Sequence, residues 1–361
     1  MSSPESDTTH QPDSGSPVAS PTAETLRAGP ASSSTAESAS SLRAEDEAIH
    51  TLSPPLNVLV MVPVYNGGAL WQQAAQALAR AREASGHHIR IKVVDSSSHD
   101  DSVAIARAQG FEVIGISSED FDHGGTRNAA VMSDPADIYL FLTQDAVLDR
   151  PDAIDTLLAA FHDPAVALAY GRQLPQRAAN PIAAHARRFN YGAQSHVVSR
   201  EDSTRLGIKT VFASNSFAAY RATTFNALGG FPERNILSED MYLAARAVLE
   251  GGKLAYVAEA CVRHSHDYTP LEEFRRYFDI GVFQADHPWI GETFGAAEGE
   301  GLRFVRSEAR YLLAQAPLWL PRACLHNALK ILGYRLGRHY QRLPASWLPR
   351  LSMQPRYWKR R

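Results

Sequence analysis

The sequence predicts an α/β protein with a mostly parallel central sheet flanked by helices, and three observations point there. Between positions 56 and 145, four short Val-, Ile- and Leu-rich runs alternate with stretches of helical period. Strands separated by helices at this spacing imply a parallel sheet in a layered fold. The first run, LNVLVMVPV, is apolar throughout, as a buried strand is. Polar residues cluster at the strand ends: Tyr65 and Asn66, Asp95, then Gln144 and Asp145. In such sheets, ligands sit outside the carboxyl ends of the strands.

The elements follow in order. LNVLVMVPV stops at Pro63 and the turn Tyr65-Asn66-Gly67-Gly68. A helix is expected from Ala69 to about Ser85, with Leu70, Ala74, Ala77 and Leu78 on one face. IRIKVVD is a second strand ending in Asp95. The turn Ser96 to Asp101 follows, where Asp100 or Asp101 can cap a helix running to Gln109. FEVIGI is a third strand, HGGTRNAAV opens another helix, and DIYLFLT is a fourth strand leading to Asp145. Beyond Pro151 we expect a helix to about His162, a strand at AVALAYG and a helix around Ile182 to Tyr191. VFASNSFAAYR reads as a strand, and Glu239 to Gly251 as a helix with an acidic first turn and a Gly-Gly stop. KLAYVAE and ACVRHSH read as two short strands.

Composition divides the chain into three parts. Residues 1 to 52 are rich in Ser, Thr, Ala and Pro and lack any aromatic residue, which reads as a disordered tail. A core of 53 to 290 and a basic helical extension of 291 to 361 follow. Residues 302 to 361 carry 13 Lys or Arg against the single acid Glu308, a balance of +12 in a chain whose net charge is -3. Arg303, Arg306, Arg310 and Arg322, with Trp319, Trp347 and Trp358 nearby, suit a peripheral hold on anionic lipid. A helical extension packed on the core, its charges in water, suits them equally.

The whole-chain balance of 36 basic to 39 acidic residues excludes a broadly basic nucleic-acid binder. Cys261 and Cys324 are the only cysteines, so there is no disulfide framework and no zinc ribbon. No run approaches the roughly 18 to 20 apolar residues of a membrane span. The start, MSSPESDTTH, lacks the basic and apolar regions of a secretory signal. These features lead us to expect a cytoplasmic protein, soluble or peripheral on the inner face of the membrane.

Each polar cluster has two readings. Asp95 can accept from the N–H of a planar base lying between the first two loops, or serve as a turn cap. No GxGxxG follows the first strand, which argues against a dinucleotide site, and there is no GxxxxGK[ST] phosphate loop. Phe121-Asp122-His123-Gly124-Gly125-Thr126-Arg127-Asn128 can open an anion-favouring helix with Arg127 on a phosphate, or be a plain loop-to-helix cap. Asp145 suits a hard divalent cation shared with a diphosphate, or a cap. Asp240 sits in an acidic helix start that can be a simple dipole partner. His264 and His266, two apart on a strand, face one side.

Taken in order, VPVYN, VVDSSSHDDS, DFDHGGTRN, FLTQDA, GGF followed by SEDMYLA, and HSH resemble the inverting family 2 glycosyltransferases of the GT-A fold, within the rhamnosyltransferase-like branch. The resemblance spans roughly 56 to 290. It implies a nucleotide-sugar donor held by Pro63, Tyr65, Asn66, Asp95 and Ser97, with Arg127 and Gln144 alongside. It places Asp145 at the last position of a metal-binding DxD whose first position is Thr143 here, with His266 as a further ligand and Mg²⁺ or Mn²⁺ as the metal. Asp240 matches the catalytic base. The implied activity is inverting transfer of a sugar, first choice L-rhamnose from dTDP-L-rhamnose, to a saccharide or lipid-linked acceptor in cell-surface polysaccharide synthesis. Two other readings compete: a non-catalytic scaffold on the same fold, suggested by Thr143, and a nucleotidyltransferase. Against the latter, GGALWQQA after the first strand carries no basic residue.

Overall fold

The computed structural model describes residues 54–295 and 299–360. The tail expected over 1 to 52 lies outside the described residues. The first half is a run of strands and helices: β1 (Asn57–Val64), α1 (Gly68–Ala84), β2 (His88–Asp95), α2 (Ser102–Ala108), β3 (Glu112–Gly115), α3 (His123–Val131) and β4 (Ile138–Leu142). β1 pairs in parallel with both β2 and β4, and β2 with β3. The side chains of β1 alternate between the two faces. Val58, Val60 and Val62 pack with Trp71 and Leu78 of α1, while Leu59 and Met61 face the core that holds Ala130 and Val131 of α3.

After β4 come β5 (Val147–Leu148), α4 (Ala153–Leu158), β6 (Val166–Leu174), α5 (Pro181–Asn190), β7 (His196–Val198), α6 (Ser203–Leu206), β8 (Phe217–Arg221), α7 (Ala222–Ala227), α8 (Glu239–Leu249) and β9 (Lys253–Arg263). The nine-stranded sheet has the order β3-β2-β1-β4-β8-β6-β9-β5, with β7 on β9. β8 runs antiparallel to β4 and β6, so the sheet is mixed, though mostly parallel in its first half.

Three expectations change in the second half. KLAYVAE and ACVRHSH form one strand, β9, instead of two. Its pairing with β6 slips between Gly171↔Val257 and Arg172↔Cys261, so Ala258 to Ala260 form a bulge that a reading by hydrophobic pattern takes for a break. Within VFASNSFAAYR only Phe217–Arg221 is a strand, because Val211 ends a 3-10 turn and the intervening segment turns toward α8. The His264-Ser265-His266 segment lies just past the end of β9.

The chain then becomes helical: α9 (Pro270–Asp286), α10 (Pro288–Phe294), α11 (Glu300–Gln315), α12 (Leu320–Arg338), α13 (Leu348–Leu351) and α14 (Pro355–Arg360). Thr269 and Glu272 close a capping box at the start of α9. α12 lies on α9 in backbone contact, close enough that a Cβ at Gly337 would stand 2.0 Å from the Phe278 carbonyl oxygen. Residues on both sides of position 290 therefore share one packing unit. None of the described helices is long and apolar enough to cross a membrane.

Candidate active site

The loops after β1, β2 and β4 are stitched together at the carboxyl ends of the strands. The Tyr65 backbone N–H donates to Gln144 Oε1 (2.7 Å), and Gln144 Nε2 donates to the Tyr65 carbonyl (3.2 Å). Gln144, expected to touch a ligand, thus serves first as a clamp on Tyr65. Asn66 and Ser97 adopt left-handed backbones, with φ of +47° and +64°. Asn66 is fixed by its N–H to Ser98 Oγ (2.9 Å) and by its Oδ1, which accepts from the His99 N–H (2.8 Å). The Ser97 hydroxyl donates to the Ile116 carbonyl (2.9 Å). Asp100, of the two expected caps, accepts from the N–H groups of Gly68 and Ser102. Strained backbone concentrated in two facing loops is a mark of functional sites.

Asp95 is 5% exposed; its Oδ2 accepts from the Ser98 N–H (3.0 Å), while Oδ1 is buried with no partner among the described residues. A buried acceptor left unmade costs on the order of 1–3 kcal/mol, so a ligand N–H placed there relieves it. Beside it, Pro63, Tyr65, Thr143, Gln144, Arg127 and Arg356 border a cavity of about 230 Å³.

Asp145 lies next in the chain, with His264 and His266 converging on it. The Nε2 atoms of His264 and His266 stand 3.3 and 3.6 Å from Asp145 Oδ2. The three donor atoms fall within 4.8 Å of one another. Burial opposes ionisation of Asp145, but the hydrogen bond and charge of His264, then the charge of His266, hold its carboxyl well below the usual range. Burial and the neighbouring His264 push His266 down to about 4, so its ring is neutral at pH 7 and can offer a lone pair. His264 Nδ1 pairs with Gln173 Oε1 (2.9 Å), a hydrogen bond that fixes the orientation of its ring. One carboxylate and two imidazoles fit a divalent cation with positions left for a diphosphate.

Asp240 stands at the start of α8. Its Oδ2 accepts from the Asn215 N–H (3.0 Å) and its Oδ1 from the Met241 N–H (2.8 Å). It is enclosed by protein on most sides yet still reached by solvent. Burial first, and then the charge of Glu239, push its carboxyl up to about 7 despite those hydrogen bonds. Such a group can take a proton near neutrality. Glu239 is held ionised against its burial by Arg127, whose Nη1 lies 3.3 Å from Glu239 Oε1. Arg127 is 4% exposed and also donates to the His123 carbonyl (2.8 Å). This differs from the expected Arg127–phosphate pair. A guanidinium this deep requires a counter-charge, and Glu239 supplies it.

A line of polar contacts joins these groups. Asp145 approaches His264, which meets Gln173; Gln173 Nε2 donates to Ser214 Oγ (2.8 Å). The next residue, Asn215, binds Asp240 through its backbone and Glu239 through its side chain (3.0 Å). A second fastening sets the turn after α7 against α3. Asn128 Nδ2 donates to the Phe231 carbonyl (2.8 Å), and the Phe231 N–H donates to Asn128 Oδ1 (2.9 Å). Gly124 permits the approach, since a Cβ there would lie 2.1 Å from the Pro232 carbonyl oxygen; Gly230 sits beside it at φ +74°.

The structure adds Gln173, Asn215 and Arg356 to the residues around the candidate site, and places His264, which the sequence pairs with His266, beside Asp145. His264 was signalled by HSH, and Asn215 by the polar SNS interrupting an apolar run. Gln173 sits in a strand with no local signal, and Arg356 comes from the far end of the chain.

Comparison with known proteins gives the family and the fold. The glycosyl transferase family 2 profile matches residues 59–229. The chain is 50% identical over 305 residues to the O-antigen chain rhamnosyltransferase RfbN of Salmonella typhimurium, covering 84% of this chain and 96% of that one. It is 51% identical over 301 residues to the O-antigen chain rhamnosyltransferase WbaN of Salmonella anatum, covering 83% and 95%. Among solved structures it is similar to a mannosyltransferase from Pyrobaculum calidifontis in complex with GDP-Man and Mn²⁺. The TM-score is 0.53 at 17% identity, over 89% of this chain and 95% of that one, a likeness of fold. Fold and comparisons together define a glycosyltransferase with the GT-A fold. The chain belongs to glycosyl transferase family 2, in its rhamnosyltransferase-like branch.

Proposed function

We propose that this protein moves L-rhamnose from dTDP-L-rhamnose to a hydroxyl of a lipid-linked, O-antigen-type saccharide in one inverting displacement. The names of the two relatives at 50% and 51% identity support the sugar and the acceptor class. The observation that carries the mechanism is the line of polar contacts from Asp145 through His264, Gln173 and Ser214–Asn215 to Asp240. It couples a site for the leaving diphosphate to a base with raised proton affinity.

In this reading Asp95 and the backbone around Tyr65, Asn66 and Ser97 receive the nucleoside. Asp240 removes the proton from the acceptor hydroxyl as that oxygen attacks the anomeric carbon, and the nucleoside diphosphate departs from the opposite face. A divalent cation held by Asp145, His264 and His266, Mn²⁺ ahead of Mg²⁺ given two imidazoles, would supply positive charge to the departing diphosphate. Arg127 acts at one remove, keeping Glu239 ionised so that Asp240 holds its proton more tightly. Fixing donor and acceptor in one cleft contributes the orientation term.

The basic end supports presentation of the acceptor at a lipid surface. Leu318, Leu325 and Leu332 recur every seven residues and are 93%, 50% and 48% exposed, in a segment that also carries Arg322. Trp347 is exposed with them, whereas Trp358 packs on Tyr340 and Phe278, and Trp319 lies under Arg322. The deciding experiment is a panel of nucleotide-sugar donors followed by nucleoside diphosphate release, with the anomeric configuration of the product read by NMR. Release with dTDP-L-rhamnose and an inverted product are expected. Preference for another donor, or a retained configuration, would overturn the reading.

A further inference from the structure

We infer that Arg356 binds the diphosphate of the nucleotide-sugar donor, carried to the cleft by the C-terminal segment; this rests on the donor reading above. Residues 352 to 358 fold back across the body of the protein. The Met353 N–H donates to Asp279 Oδ2 (2.9 Å) on α9, and the Gln354 N–H donates to Ser352 Oγ (2.8 Å). Two residues past Arg356, the Trp358 ring packs against Tyr340 and Phe278 at centroid distances of 5.5 and 6.3 Å. Arg356 is thus fastened on both sides. Its Nη1 donates to the Ser118 carbonyl (2.7 Å), joining α14 to a turn 238 positions away.

The charge pattern says what this contact is for. The small cavity at the ends of β1 and β4 is bordered by two guanidiniums, Arg127 and Arg356, and by no carboxylate. Arg127 is already neutralised by Glu239, whereas Arg356 makes no ion pair among the described residues. Ser118 takes one of the five donors a guanidinium carries, leaving others for a ligand. A diphosphate is the group in the donor that matches a planar cation with several parallel N–H groups. Thr143 stands where a second carboxylate for a cation would be expected, which increases the need for protein charge on that side. Arg356 meets it from the chain's other end.

The test compares binding of dTDP and of thymidine to the full chain in Mg²⁺ buffer. Calorimetry follows dTDP and ligand-observed NMR follows thymidine, for wild type, Arg356→Gln, Arg356→Lys and Lys359→Gln. Arg356→Gln is expected to weaken dTDP about 10- to 100-fold, the scale of a lost charge-assisted hydrogen bond. Thymidine binding and the Lys359→Gln variant should match wild type, and Arg356→Lys should fall between. A dTDP affinity within twofold of wild type in Arg356→Gln overturns the inference while leaving the donor reading intact. Equal loss of thymidine, or equal weakening by Lys359→Gln, also overturns it, because the segment would then act by packing or by diffuse charge. Failure of wild type itself to bind dTDP removes the donor reading, and the inference with it.

Discussion

Asp240→Asn should cost activity and gain stability, and the two effects have a common cause. Burial and Glu239 raise the carboxyl from 3.8 to about 7. At about 1.36 kcal/mol per unit, keeping it ionised above pH 7 costs the folded protein about 4 kcal/mol. Solvent still reaches the group, so about 2–3 kcal/mol is the better figure. Asparagine cannot accept fully from both the Asn215 and Met241 N–H groups, and loses on the order of 1–2 kcal/mol in return. The balance favours the variant by about 1 kcal/mol at pH 8, or roughly 2–4 °C in Tm for a domain this size. A raised carboxyl pKa gives stability that is full below pH 3.8 and lost as pH rises through about 7. The variant's advantage should therefore be absent at pH 5 and present at pH 8. The groups facing Asp240 are Glu239, Arg127, Tyr191 and Tyr220, none of which is expected to change charge between those limits. Nucleoside diphosphate release should fall by about 10²-fold or more, and wild-type kcat/KM should climb about tenfold per pH unit up to near 7 and then level. Turnover within tenfold of wild type, or a variant less stable than wild type at pH 8, would refute the argument.

Chelation by EDTA should lower activity and added Mn²⁺ or Mg²⁺ restore it, while Asp145→Ala weakens Mn²⁺ and dTDP binding together; full activity after exhaustive chelation sinks the metal role. Gly337→Leu drives a side chain into the Phe278 carbonyl, 2.0 Å from the new Cβ, and should destabilise the α9–α12 pair by roughly 1–3 kcal/mol or more. A Tm equal to wild type would show that the helices can separate at no cost. In liposome flotation the chain should bind vesicles containing anionic lipid and release as salt rises; binding indifferent to both contradicts the electrostatic hold.

The first half of the fold was legible because β1, β2 and β4 are buried strands with abrupt polar ends, and both the hydrophobic run and its stop are local features. Tyr65, Asn66, Asp95 and Asp145 could be picked out for the same reason. The second half resisted because its pattern is set by partners distant in sequence. The bulge at Ala258 to Ala260 is visible only against β6, and β5 and β7 are two and three residues long. For Arg127 the sequence offers a phosphate or a plain cap and not the pairing with Glu239, which is more than a hundred positions away and which nothing near Arg127 announces. The contact of Arg356 with the Ser118 carbonyl is likewise a tertiary fact with no periodic signature.

The two-way fastening of Asn128 to Phe231 bears on how such enzymes can be recombined. The half of the chain that would select the nucleotide ends near β4, and the half that would select the acceptor begins beyond it, so a chimaera cut between them looks attractive. Asn128 and the Gly229-Gly230-Phe231 turn lie on opposite sides of any such cut, 103 positions apart, and each supplies what the other's backbone or amide requires. A parent without Asn128 leaves the buried Phe231 N–H and carbonyl without partners, and one without Gly230 brings a Cβ to 2.5 Å from Asn128 Oδ1 and pushes the turn after α7 away from α3. Domain exchange within this branch will then succeed between parents that share both halves of this joint. Where they do not, the two positions must travel as a single cassette.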